Sequence, residues 1–151
     1  MRRANLLLIV VGIIVFLGIS ALLARTFNAD GTERAAITSL VQAEAAGDAA
    51  GIRAQLENCG AAACRARAAT LATSLRRPGH VVILTLDTSA SFSLTATTGT
   101  ARVAWDTSAS KLPVVQCVRV HRAGSVLSGF TVHLVRLSAR IKSDAECPSR
   151  F

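Results

Sequence analysis

The hydrophobic and polar positions divide the chain into three parts. Residues 4–24 carry no charge, and residues 6–23 read LLLIVVGIIVFLGISALL. From residue 32 to residue 75 the apolar side chains recur with the period of amphipathic helices. After Gly79 the period changes to two, which is typical of strands with one buried face. The pattern predicts an apolar helix and then an α+β domain, with helices packed on a curved antiparallel sheet.

The apolar segment is long enough to cross a bilayer, because about 20 helical residues rise about 30 Å. Arg2 and Arg3 precede the segment, so the positive-inside rule predicts a cytoplasmic N-terminus and an exported domain. We therefore interpret residues 1–24 as a cytoplasmic tip and a transmembrane signal anchor in the plasma membrane. The alternative is a cleaved signal peptide, whose apolar run is usually about 7 to 15 residues. The run here is longer, and Leu22 occupies a position where cleavage requires a small residue.

Turn and capping residues divide the helical part. Asp30 or Thr32 is expected to cap the first helix of the domain, Gly47 to end it and Asp48 to cap a short second helix. A third helix is expected to run to about Leu75, before a Pro-Gly pair. The divisions of the chain beyond the anchor are therefore a linker at residues 25–31, the domain at 32–141 and a tail at 142–151.

The alternating part predicts an antiparallel sheet. A turn is expected at residues 98–99, and a hairpin is expected to close around Gly124. This closure puts Val118 opposite Phe130 and keeps His121 and His133 from being cross-strand partners. The apolar parity changes near Leu134 and Val135, which predicts a bulge or burial of both faces there. The expected strands cover residues 81–86, 91–97, 101–106, 114–122 and 126–141.

The four cysteines all follow the apolar segment. In a small exported domain they predict two disulfides, with three possible connectivities. Pairing Cys59 with Cys64 would bridge the turn around Gly60, and pairing Cys117 with Cys147 would tie the tail to the sheet. Zinc is the competing interpretation, but two of the cysteines are isolated and no histidine lies near Cys147. We expect disulfides and no metal.

The charge is strongly basic, with 17 Lys and Arg residues against 9 Asp and Glu residues and a net charge of +8. Without Arg2 and Arg3, 15 basic residues face 9 acidic ones, so the exported part has a net charge of +6. The expected partners of an exported basic domain are lipid head groups, wall polymers or an acidic protein surface, and not nucleic acid. The alternative is that the arginines are dispersed and solvated, because no run reaches five or six like charges. The candidate binding residues on the last two strands are Arg119, Arg122, Arg136 and Arg140.

Two segments resemble a known family. Residues 32–56, TERAAITSLVQAEAAGDAAGIRAQL, are similar to the opening helix and A-G-D helix break of the nuclear transport factor 2-like superfamily, which includes ketosteroid-isomerase-like cone folds. Residues 99–141, which start GTARVAWDT, resemble the closing strands of membrane-anchored bacterial members. The resemblance implies a cone-like fold. It leaves function open, because enzymes, binding modules and scaffolds share this fold.

No catalytic constellation emerges from the sequence. The resemblance implies that an enzyme of this superfamily needs a carboxylate base on a strand and a Tyr or protonated Asp donor. The chain has no Tyr, and Asp87 and Asp106 stand where turns begin. Trp105 either lines a pocket for a small apolar ligand or belongs to the core. We expect no cofactor and a non-catalytic module that docks to a membrane or wall component; the alternative is a small-ligand carrier or degenerate enzyme.

Overall fold

The computed structural model describes residues 2–89, 95–110, 112–125, 127–142, 145–148 and 151, without the side chains of residues 2–7 and 25–27. Within them, three helices precede four strands. These strands form one antiparallel sheet in the order β1-β2-β3-β4, which confirms the α+β class. The bounds are α1 Arg2–Ala46, α2 Ala49–Gln55, α3 Ala62–Ser74, β1 Val81–Asp87, β2 Thr95–Thr107, β3 Val114–Ser125 and β4 Gly129–Leu137.

The first helix is one helix of 45 residues. It passes through residues 25–31, so the expected linker and the expected helix start at Asp30 or Thr32 are wrong. Both side chains bond within the helix instead: the Thr32 hydroxyl donates to the carbonyl of Asn28, and Asp30 pairs with Arg34 one turn later. Because the side chains of Asp30 and Thr32 bond within the helix and do not cap a new one, α1 continues through these residues.

The end of α1 and the start of α2 agree with the sequence. Gly47 follows the last helical residue with a φ of 74°, a left-handed conformation that favours glycine. The carboxylate of Asp48 accepts hydrogen bonds from the backbone N–H groups of Ala50 and Gly51, at 3.0 and 2.9 Å. The short α2 that follows buries Ile52 against the rest of the domain.

The hydrophobic core lies between the helices and one face of the sheet. The α1 residues in it follow helical spacing, whereas the strand residues alternate. Trp105 is fully buried among them. The buried apolar residues of this core are Ile37, Leu40, Val41, Ala45, Ile52, Ala68, Leu71, Ala72, Leu75, Ala101, Val103, Trp105, Val114, Val118, Val120, Leu134 and Leu137.

The second strand differs from the expectation. Thr98 and Gly99 lie inside β2, paired with His121 and Val120, so the turn predicted at this dipeptide is wrong. The pairing partner on β3 supplies the backbone hydrogen bonds, which overrides the local turn preference of Thr-Gly. Residues 90–94, which include most of the strand predicted at 91–97, lie outside the described residues.

The β3–β4 hairpin is longer than predicted. Gly124 pairs with Phe130 instead of forming the centre of the turn, and His121 pairs with His133. The expected register, and with it the expected separation of the two histidines, is therefore wrong. The buried face is still the expected one, because the shift is even and side chains alternate with a period of two. The register slips next to Val135, which confirms the predicted bulge.

Both disulfides have the pairing considered above. Cys59 in the α2–α3 connection bonds to Cys64 in the first turn of α3, and Cys117 bonds to Cys147, so all four cysteines are paired. The second bond holds the tail against the face of the sheet that is turned away from the helices. Ile141 adds a bridge to Val115, and the side chains of Val115 and Cys117 are buried there.

Candidate functional site: buried ion pairs and an outer groove

Arg122 does not belong to a basic surface. Its side chain points to the helix face of β3 and is only 8% exposed. Its Nη2 and Nε atoms lie 2.6 and 2.8 Å from Oε2 of Glu33, and Nη2 lies 3.5 Å from Oδ1 of Asp30. The expectation that Arg122 offers its charge to a partner is therefore wrong. The physical reason is the alternation of β3, which sends its even-numbered residues inward.

The carboxylate of Glu33 is fully buried and well satisfied. Besides Arg122, it accepts hydrogen bonds from the backbone N–H and the hydroxyl of Ser89, at 2.7 and 2.8 Å. Burial alone would raise the pKa of the neighbouring Asp30, but a hydrogen bond from Thr88 and the charges of Arg34 and Arg122 outweigh it and lower that pKa. This cluster fixes α1 to one end of the sheet.

A second polar chain crosses the core about 16 Å further along α1. The indole Nε1 of Trp105 donates to Oε1 of Gln116, and Nε2 of Gln116 donates to Oε1 of Glu44, at 2.9 and 3.0 Å. Burial raises the pKa of Glu44 to about 7, although the hydrogen bond from Gln116 acts in the opposite direction. The other oxygen of Glu44, Oε2, is buried with no hydrogen-bond partner among the described residues.

The structure brings two of the four candidate arginines together on the outer face. Arg119 and Arg136 are cross-strand partners on β3 and β4. The Arg119 guanidinium lies 5.6 Å from the centroid of the Phe151 ring, and Nη1 of Arg136 donates to the main-chain oxygen of Phe151 at 3.3 Å. Arg140 lies apart from them and donates to the carbonyl of Pro113 at 2.9 Å.

A mostly apolar groove of about 350 Å³ lies beside this arginine pair, between α3, the α2–α3 connection and the end of β4. Arg67 and Arg136 are its basic residues, and Glu57 is its acidic one. Beyond the single bridge from Leu56 to Leu134, no strand among the described residues pairs with the outer edge of β4. The lining residues are Leu56, Glu57, Asn58, Ala61, Ala63, Cys64, Arg67, Ala68, Leu71, Val135, Arg136, Leu137 and Phe151. We call this feature the outer groove.

The paired histidines are the remaining cluster on the outer face. The rings of His121 and His133 are stacked with centroids 6.5 Å apart. Nδ1 of His121 lies 3.1 Å from the hydroxyl of Thr98, and Nδ1 of His133 lies 4.0 Å from a carboxylate oxygen of Glu57. Among the described residues, no group of three or more His, Cys, Asp or Glu side chains is placed to hold a metal ion.

The sequence interpretation missed the buried glutamates and the outer groove. A signal for the glutamates was present, because Glu33 and Glu44 share the helical spacing of Ile37 and Leu40 and therefore the buried stripe of α1. The groove had no such signal. Arg67 and Phe151 are far apart in the sequence, and only the tail disulfide and the packing of α3 bring them together.

Comparisons with family models, with curated proteins and with solved structures found no match for this chain.

Proposed function

We propose that this chain is a single-pass membrane protein of the bacterial cell envelope and that its exported domain is a non-catalytic docking module. α1 contains one apolar stretch long enough to cross a bilayer. Arg2 and Arg3 before that stretch favour a cytoplasmic N-terminus and a plasma-membrane location. The two disulfides support an oxidising compartment for the domain.

The observation that carries the proposal is the continuity of α1 from the apolar stretch into the core. Glu33 and Glu44 belong to the same helix as the apolar residues and are buried against the sheet. In this proposal a continuous helix, and not a flexible linker, joins the anchor to the domain. Such an attachment holds one face of the domain toward neighbouring envelope components, which suits a docking role.

The outer groove is the surface that we assign to docking. Its floor is apolar, and its two arginines, Arg67 and Arg136, outnumber its one acidic side chain, Glu57. The exported part also has a net charge of +6. We therefore propose that the occupant is an apolar segment with acidic residues, supplied by another envelope protein. Apolar contact would give affinity, and the two guanidinium groups would select carboxylates.

A photocrosslinking experiment in cells tests this docking site. The full-length chain carries a photoreactive residue at Ala61, which lines the groove, or at Thr73, which is exposed elsewhere on α3. A single protein adduct from the Ala61 position, but not from Thr73, is expected. Arg67→Glu with Arg136→Glu should abolish the adduct, because the change reverses the charge that selects carboxylates.

The control for general charge loss is Arg76→Glu, because Arg76 is exposed and is not part of the groove lining. This variant should retain the adduct. Equal adducts from both photoreactive positions, or an adduct that survives the double reversal, would contradict the docking site. A bound lipid or metabolite without a protein partner would instead favour the alternative, a small apolar-ligand carrier, since about 350 Å³ is within the range of ligand pockets.

The proposed relationship to the nuclear transport factor 2-like superfamily is supported by the packing of helices on one face of an antiparallel sheet. It stays a proposal about fold. An experimental structure of the exported domain in its membrane-anchored form, superposed on cone folds of that superfamily, tests it. A flat or differently ordered sheet would contradict it.

A further inference from the structure

We propose that the tip of the β3–β4 hairpin, at residues 125 and 127–129, contacts the lipid interface of the bilayer that α1 crosses. The inference rests on the proposed membrane anchoring and adds a second point of contact with the same membrane. Its occupant is the head-group and upper acyl region of the lipids.

The chemistry of the hairpin tip differs from that of the rest of the domain. Leu127 is 81% exposed, more than any other large apolar side chain that the structure describes. The ten residues from 123 to 132, AGSVLSGFTV, include no charged side chain, although the exported part is strongly basic. An exposed apolar side chain on an uncharged projection is suited to lipid and not to an acidic partner.

Two buried contacts fix the direction of this hairpin relative to α1. Gln116 bonds to Glu44, and Arg122 bonds to Glu33. From Gln116 to Arg122, β3 advances about 20 Å. From Glu44 back to Glu33, α1 covers about 16 Å. The order of these contacts means that β3 runs antiparallel to α1, toward the apolar stretch.

The same contacts give the height of the hairpin tip. Ser125 lies three residues beyond Arg122, about 10 Å further along β3. Arg122 lies level with Asp30 and Glu33, which it contacts. The further 10 Å correspond to about six residues of α1 toward its N-terminus. The strand therefore ends level with residues 24–27, where the uncharged stretch of α1 stops. Leu127 is at the tip beyond this level, at the depth of the membrane surface.

Backbone N–H groups of the hairpin tip are hydrogen-bonded within the tip itself, so they do not require water. The backbone N–H of Ser125 donates to the Ser128 hydroxyl, and the N–H of Ser128 donates to the Ser125 hydroxyl, at 3.1 and 3.2 Å. Gly124 and Gly129 on either side have φ values of 103° and 91°, which allow this tight closure. Internal bonds of this kind reduce the cost of moving the backbone into a region poor in water.

A depth measurement in vesicles tests the proposal. The full chain is reconstituted in equal parts of phosphatidylcholine and phosphatidylglycerol, with the environment-sensitive fluorophore NBD on a single introduced cysteine. The native cysteines are in disulfides and do not react with the label. The test position is Leu127→Cys, and the matched control is Leu112→Cys, a leucine that is 66% exposed in the β2–β3 connection at the opposite end of the sheet.

A blue-shifted NBD emission at position 127, with quenching by lipids that carry a nitroxide near the head group, is expected. The label at position 112 should emit as in water and resist that quencher. A third label at Gly18→Cys, in the middle of the apolar stretch, reports on anchoring itself. Buried Trp105 reports by its fluorescence that each variant is folded.

The outcomes separate the two proposals. If the label at position 18 is in the bilayer and the label at position 127 emits as in water, like that at position 112, the lipid contact is wrong and the anchoring is retained. If the label at Gly18 is in water, the anchoring is wrong and the lipid contact is overturned with it.

Discussion

The buried carboxyl of Glu44 offers a direct test of the core. Glu44→Gln removes its ability to ionise but keeps an oxygen that can accept the hydrogen bond from Gln116. The amide therefore resembles the protonated form of the native side chain. Glu44 lies on α1 about 30 Å beyond the end of the uncharged stretch at Ala24, well outside the part that is apolar enough to cross a membrane.

The magnitude follows from the pKa of Glu44. Burial raises it from 4.5 to about 7 in the folded protein, and each pKa unit corresponds to about 1.4 kcal/mol. Below pH 4.5 the carboxyl is protonated in both states. Between pH 4.5 and 7 the unfolded chain loses the proton and the folded protein keeps it, so the free energy of unfolding falls as pH rises. Above pH 7 the free energy of unfolding has fallen by its full amount, about 3 kcal/mol.

Urea unfolding of the full chain in a mild non-ionic detergent measures this effect. The single tryptophan, Trp105, is buried and bonded to the same Gln116, so its fluorescence follows the unfolding of this part of the core. The free energy of unfolding of Glu44→Gln minus that of the native chain should rise by about 2 to 3 kcal/mol from pH 5 to pH 8. Comparison of the two chains at each pH cancels the titration of the other groups.

Glu146→Gln, at an exposed position in the tail, is the control for loss of one negative charge. It should follow the native chain at both pH values. If the difference between Glu44→Gln and the native chain were the same at pH 5 and pH 8, Glu44 would ionise as it does in water. The reasoning from burial would then be refuted.

Two further predictions use the same unfolding assay. Arg122→Ala leaves the carboxylate of Glu33 buried without its guanidinium partner, which should cost about 3 to 5 kcal/mol, and adding Glu33→Gln should restore part of the loss; equal stability of the single and double variants would contradict the role of the ion pair. Replacing Cys117 by serine opens a disulfide that spans 30 residues and should cost about 4 kcal/mol, against about 2 kcal/mol for Cys59, whose disulfide spans 5. If the loss of the Cys59 disulfide cost more stability than the loss of the Cys117 disulfide, the length of the closed loop would not explain the stabilisation.

Local sequence signals predicted the elements well where a short-range physical cause was sufficient. Gly47 and Asp48 mark a helix end and a helix start because a positive φ and a side-chain cap are local properties. The bulge at Val135 was visible as a change of apolar parity. At Thr32, by contrast, a good capping residue bonds within a continuous helix, since the same hydroxyl can satisfy either arrangement.

The candidate site was predicted only in part. Arg119 and Arg136 are on the outer face as their parity required, but that they meet each other and Phe151 depends on the register and on the disulfide that holds the tail. Arg122 has the opposite parity, and its charge alone is a misleading signal for the surface. The sequence could not show that Glu33 lies within hydrogen-bond distance, since 89 positions separate the two residues.

The sequence by itself determined which segment could cross a membrane, most of the segments that form helices and strands, and which face of β3 is apolar. These features depend on composition and on periods of 3.6 and 2, which act over a few residues. The tertiary structure decided the continuity of α1 through residues 25–31, the pairing of His121 with His133 and the burial of Glu33 and Glu44. The histidine pairing and the burial of the glutamates depend on partners far along the chain, and a charged or hydrogen-bonding side chain changes its role when such a partner replaces water.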